Sequence, residues 1–184
     1  MRHGKNLKGT LKENGKKATD ILFLIKAQHD DLRDSIKVLR DESVDPVTKQ
    51  NQLAKFINLL TMHTEAEEQT IYDVLKDIQA SELTTLEALE EHSVAHNLVQ
   101  ELEDADYKST WNSHIEAKAK VLADIVDHHA KIEENIFFKE ARTLLTKEEL
   151  LNLGEEFVQK CNELKEGIHI PLHSPNMMLE GIAD

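Results

Sequence analysis

Apolar residues recur three and four positions apart along four stretches of the chain, and in every stretch polar side chains interrupt the stripe. The first stretch reads Leu22, Ile25, His29, Leu32, Ile36 and Leu39, and the second Phe56, Leu60, His63, Glu67, Ile71 and Val74. The third reads Leu86, Leu89, His92, His96, Val99 and Leu102, and the fourth Ile115, Leu122, Ile125, His129, Glu133, Ile136 and Phe137. This spacing is one face of an α-helix. It predicts a helix over 18–39, a second over 46–76 opened by Asp45 as N-cap and Pro46 at its first position, and a third opened by the Thr84-x-x-Glu87 capping box. A fourth opens at Ser113-x-x-Glu116, and Thr146-x-x-Glu149 caps a shorter fifth helix that runs to about Lys165. Four long helices with short connections form an all-α, up-down-up-down four-helix bundle, here with an appended C-terminal helix. The expected division is a basic N-terminal arm over 1–17, the bundle over 18–145, and the last helix with an irregular tail over 146–184.

Composition agrees with that fold class. Six glycines and three prolines are too few for the turns of an all-β sandwich or barrel. The longest purely apolar run, Ile21 to Ile25, is far short of the ~20 residues that span a bilayer, and the N-terminus shows no apolar signal region, so no membrane is expected and a cytoplasmic location is. A net charge of −13 argues against nucleic acid as a partner and is compatible with attracting cations. The single Cys161 removes a disulfide framework, an iron–sulfur cluster and a cysteine zinc site. Ten histidines, more than all the aromatic residues together, are the compositional anomaly.

Seven polar residues sit where the helical stripes call for apolar ones: His29, His63, Glu67, His92, His96, His129 and Glu133. Burying any one of them unpaired costs several kcal/mol. A metal centre satisfies them together, because imidazole nitrogens and carboxylate oxygens ligate divalent first-row metals and the cation offsets the carboxylates. His63 and Glu67, His92 and His96, and His129 and Glu133 are i, i+4 pairs on one helix face. The chain also repeats itself. The segment His63–Tyr72 aligns without gaps on His129–Phe138, and His29–Leu39 on His92–Leu102. Two helix hairpins each supplying His, His and Glu predict a dinuclear centre about a pseudo-twofold axis. His96 breaks the symmetry because its counterpart is Arg33, so one metal is expected to have three histidines and the other two, with an open position on the second. His128 competes with His129 for the ligand role, and the repeat favours His129. His3, His114, His169 and His173 fall outside the register.

Other chemistries find no support. The sequence has no His-Glu-x-x-His, no phosphate-cradling Gly loop, no Gly-x-Ser-x-Gly and no Gly-x-Gly-x-x-Gly. The only Glu-x-x-His, Glu166 to His169, lies beside Gly167, which disfavours a ferritin-like di-iron site.

Over 18–145 the ordered set of His29, His63-x-x-x-Glu67, His92-x-x-x-His96 and His129-x-x-x-Glu133, with glutamate doublets at 67–68 and 133–134, resembles the hemerythrin-like, or HHE cation-binding, family. The resemblance implies two iron ions joined by an oxo or hydroxo bridge, with manganese or zinc also compatible with such ligands. Glu67 and Glu133 would bridge, His92, His96 and His129 would complete one iron, and His29 and His63 would serve the iron that binds O2 or NO. A glutamate four residues after His129, where oxygen carriers place an aspartate five residues on, matches the broader HHE group. The functions implied are O2 or NO binding first, with redox turnover of peroxide or NO, or sensing through a protein partner, as alternatives.

Overall fold

The computed structural model describes residues 19–167, so the N-terminal arm over 1–17 and the tail after Gly167, with His3, His169 and His173, lie outside the described residues. Four long helices form the bundle: α1 (Ile21–Arg40), α2 (Pro46–Glu68), α4 (Glu82–Asp104) and α5 (Ser113–Ile132). The short α3 (Ile71–Leu75) links α2 to α4. After α5 comes a π-helical turn (Glu133–Phe137), then α6 (Phe138–Leu144) and α7 (Lys147–Lys165). Around the bundle α1 packs on α2 and α5, and α4 packs on α5 and α2, closing the ring. The appended α7 lies across α1 and α2. The fold is the expected all-α bundle with an extra C-terminal helix, and among the described residues no helix is long and apolar enough to cross a membrane.

Local chemistry sets the helix starts. Asp20 caps α1 by accepting from the Leu22 amide, and Asp45 accepts from the Val47 and Thr48 amides ahead of Pro46. Thr146 and Glu149 form the expected capping box of α7. Two other starts differ from expectation. The Asn112 side chain, one residue before Ser113, caps α5 through the amides of His114 and Ile115. Helix α4 begins at Glu82, so Thr84 lies inside it, and its hydroxyl donates to Glu140 instead of capping.

Two apolar clusters fill the interior, one on each side of the polar layer. At one end Leu32, Ile36, Leu53, Phe56, Leu60, Leu102, Tyr107 and Leu122 pack together. At the other, Ile21, Ile25, Ile71, Tyr72, Phe137 and Phe138 pack with Leu150, Leu153 and Phe157 of α7. Gly154 is where α7 meets the start of α1: a Cβ there would stand 1.9 Å from the Thr19 carbonyl oxygen.

A buried cation ties α2 to α5. Lys49 is 3 % exposed, and its Nζ donates to Glu116 Oε1 at 2.8 Å. Removing only the anion leaves a desolvated ammonium, whereas removing the cation leaves a carboxylate with solvent access. Glu116→Ala is therefore expected to destabilise the protein by about 1–2 kcal/mol, a range reduced for the exposure of Glu116. Lys49→Met is expected to be close to neutral. Urea unfolding of the two variants checks the order, and equal losses would contradict it.

Candidate metal centre

The polar layer gathers residues from both hairpins. His29 comes from α1, His63 and Glu67 from α2, His92 from α4, His129 from α5, and Glu133 from the first position of the π-turn. All six are buried, with His29 and Glu67 at 0 % exposure. Candidate ligand atoms fall into two groups, His29 with His63 and Glu67, and His92 with His129 and Glu67. Glu67 belongs to both: its Oε1 lies 3.2 Å from His63 Nε2 and its Oε2 lies 3.5 Å from His92 Nε2. Glu133 spans the halves with one oxygen, Oε2 standing 3.1 Å from His29 Nε2 and 3.9 Å from His129 Nε2. Its other oxygen accepts from the Tyr72 hydroxyl at 3.0 Å.

Every inward-facing imidazole is held from behind through Nδ1. His29 Nδ1 meets Glu134 at 3.0 Å, His63 Nδ1 meets Gln28 Oε1 at 3.0 Å, His92 Nδ1 meets Glu68 at 2.9 Å, and His129 Nδ1 meets Glu91 at 2.7 Å. An acceptor at Nδ1 fixes the tautomer, so the lone pair sits on Nε2 and points inward. The bracing follows the sequence repeat. The second glutamate of each doublet, Glu68 or Glu134, reaches across to the α1-type histidine of the other hairpin. The residue just before that histidine, Gln28 or Glu91, holds the second histidine of its own hairpin. Tyr72 and its repeat counterpart Phe138 stack on His92 and His29.

These atoms fit a metal. His29 Nε2, His63 Nε2, both Glu67 oxygens and Glu133 Oε2 are buried and find no hydrogen-bond partner outside the cluster, facing only one another. Buried polar atoms without outside partners are rare in protein interiors, and a layer of them calls for bound cation charge. His92 Nε2 and His129 Nε2 stand 3.1 Å apart, each backed by its Nδ1 acceptor. Two donors ~2.1 Å from one cation at a right angle are separated by about 3 Å, close to that spacing.

The electrostatics carry the same message. Burial, and next the neighbouring Glu133, push the Glu67 carboxyl well above the usual range. Burial and then the surrounding histidines hold His63 well below its ordinary value, and His92 is lowered in the same way. For Glu133 burial acts upward, but His29 and the other histidines outweigh it and bring the carboxyl down. Glu134 resists burial through His29 and Arg33 and falls to about 2.

Two residues of the expected stripes lie away from the buried layer. His96 is exposed on α4, with Met62, Glu65 and Val99 in a cleft against the end of α7, and belongs to neither ligand group. Its i, i+4 offset from His92 points it to the rim, where Arg33 occupies the matching place in the first half and meets Glu134 at 2.8 Å. The candidate ligand groups hold two histidines in each half. Second, Ile136, an apolar position of the fourth stripe, is 46 % exposed. The π-turn adds a residue to the helical repeat and turns Phe137 and Phe138 inward. In the first half the chain breaks at the same place by another device, because α2 ends at Glu68 and Gln69–Thr70 separates it from α3. Between the two adjacent histidines, His129 is buried and His128 exposed. Gln28, Glu91 and Tyr72 also contact the site, although the helical stripes do not single them out. The repeat held a signal for all of them, since two precede matched histidines and one aligns with Phe138.

The family model of the hemerythrin HHE cation-binding domain matches residues 20–141. Neither curated proteins nor solved structures gave a match.

Proposed function

Because the chain belongs to the hemerythrin HHE cation-binding domain family, we propose that its buried cluster holds two iron ions and binds O2 or NO. The supporting observation is the pair of half-sites sharing Glu67, each with two histidines whose Nε2 atoms face inward. His29 and His63 would hold one ion, His92 and His129 the other, with Glu67 and Glu133 between them. Bound iron would supply an electron-rich centre able to take a diatomic ligand, and imidazole with carboxylate suits iron while also suiting manganese or zinc.

The chain's own residues determine what reaches that centre. Ile25, Leu32 and Leu60 flank the layer with buried apolar surface and exclude bulk water. The Tyr72 hydroxyl donates to Glu133 and reserves one carboxylate oxygen, which leaves Oε2 for the space between the halves. Glu91 and Gln28 keep the His129 and His63 rings from rotating.

With two histidines in each half, open positions would remain on both ions. That observation favours a second reading, redox turnover of peroxide or NO at the same centre. Anaerobic reduction of the iron-loaded protein followed by air or NO separates the two. A visible absorption band that forms and reverses under vacuum supports binding. Steady-state consumption of peroxide or NO, abolished in His63→Ala, supports turnover. Purified protein that takes up no iron overturns both.

A further inference from the structure

The two half-sites share Glu67 and each has two histidines, so the groups behind the imidazoles are a source of difference between them. Those groups are unequal. Behind His92 and His129 stand two carboxylates, Glu68 and Glu91. Among the described residues neither makes an ion pair with a lysine or arginine; the neighbouring titratable groups are His96 by Glu68 and His128 by Glu91. Behind His29 stands Glu134, whose charge is met by Arg33 Nη1 at 2.8 Å and Lys26 Nζ at 3.6 Å. Those two cations also contact Asp30, and Arg33 lies 3.9 Å from Asp127, farther from the histidines. Behind His63 stands the neutral amide of Gln28, whose orientation is fixed because its Nε2 donates to Cys161 Sγ at 3.5 Å.

A carboxylate that accepts the Nδ1 proton makes imidazole a stronger donor at Nε2, and such partners are worth about 10–100-fold in metal affinity. A neutral amide holds the ring without adding charge, and a carboxylate already paired with arginine and lysine adds less than a free one. We propose that the two metal positions are unequal, the His92/His129 position filling first and tightly and the His29/His63 position second and exchangeably, with Gln28 and Glu91 as the residues that set the order. The proposal rests on the two-metal reading of the site. It assigns to a single exchange in the repeat, glutamine in one half for glutamate in the other, a role that ligand identity cannot supply.

Calorimetric titration of the chelator-treated full chain with Co2+ tests the order, with circular dichroism confirming that each variant is as helical as the parent. The parent is expected to bind two ions in separate events at least about 10-fold apart. Gln28→Glu is expected to tighten the second event about 10-fold and leave the first in place, narrowing the gap. Glu91→Gln is expected to weaken the first event by a similar factor. Two equal ions taken up in one event that neither variant moves overturn the ordering and leave the metal centre standing. So does a Gln28→Glu variant that tightens the first event instead. Absence of any Co2+ uptake by the folded parent removes the metal reading, and the ordering with it.

Discussion

Glu67→Gln is expected to stabilise the metal-free protein and to remove most of its stabilisation by metal. The same side chain produces both effects. In the absence of a cation Glu67 is buried, has no hydrogen-bond partner on either oxygen, and faces Glu133. Its carboxyl group is raised well above the ordinary value in the folded state. Between the unfolded and folded values the native chain therefore keeps a proton that the unfolded chain has lost, so this residue's contribution to stability declines as pH rises through that window. Glutamine has the same shape and no charge to desolvate, which removes the decline. A bound ion reverses the balance, because it requires the ionised carboxylate and releases the proton. With free metal at a thousand times its dissociation constant, binding adds about 4 kcal/mol, or about 10 °C in Tm for a chain of this size. Thermal melts with and without Co2+, run from pH 6 to pH 8, would show the parent gaining that increment and the variant gaining little, with at most one ion bound per chain. A variant that still takes up two ions and gains the same increment would contradict the shared role of Glu67.

Gly154→Ala is expected to cost about 2–3 kcal/mol and to lower Tm by about 5–10 °C. The added methyl would meet the Thr19 carbonyl at 1.9 Å, and that obstacle is backbone, which cannot swing aside as a flexible side chain can. Relief requires α7 to back away from α1, which loosens Leu150, Leu153 and Phe157 in the cluster they share with Ile21 and Ile25. It also disturbs Asp20, which caps α1 and meets Arg142. His29 lies more than two turns along the same helix, so metal stoichiometry should be retained. Urea unfolding and metal analysis of one preparation check both halves, and a variant as stable as the parent would show that α7 docks less closely than the geometry indicates.

The bundle was legible because four stripes kept helical phase over whole helices, and the site because the polar residues breaking them kept the same phase. The misreadings arise where phase changes within a segment. Leu86 was placed in the core stripe of α4, yet it is 47 % exposed, while Thr85 and Ala88 are buried. Counting back from His92 by four and seven gives those two residues; the larger leucines drew the stripe one position off. The exposure of His96 has a related cause. An i, i+4 pair shares a helix face, but a face is wider than the buried layer, and the fourth position reaches the rim in both repeats. Arg33, too long and too basic for the interior, marked that rim in the sequence. The π-turn had no comparable signal. Nothing in Glu133–Phe137 departs from ordinary helical composition, and the extra residue is set by tertiary packing that brings Glu133, Phe137 and Phe138 inward together. The Nδ1 partners do not stand out in the sequence because carboxylates on a partly exposed helix surface are common; their meaning emerges only when the helices come together.

The bracing of the histidines links the two copies of the repeat in a way their separate packing would not. Each hairpin holds one of its imidazoles with its own side chain and depends on its twin for the other, through Glu134 on His29 and Glu68 on His92. Neither half alone can present a finished pair of donors. A chain descended from a single hairpin would have needed a second copy beside it before it could grip a metal pair, whether as a separate molecule or by duplication. Joined in one polypeptide, the halves gain or lose their grip together, so occupancy of the centre becomes a readout of whether both hairpins are docked.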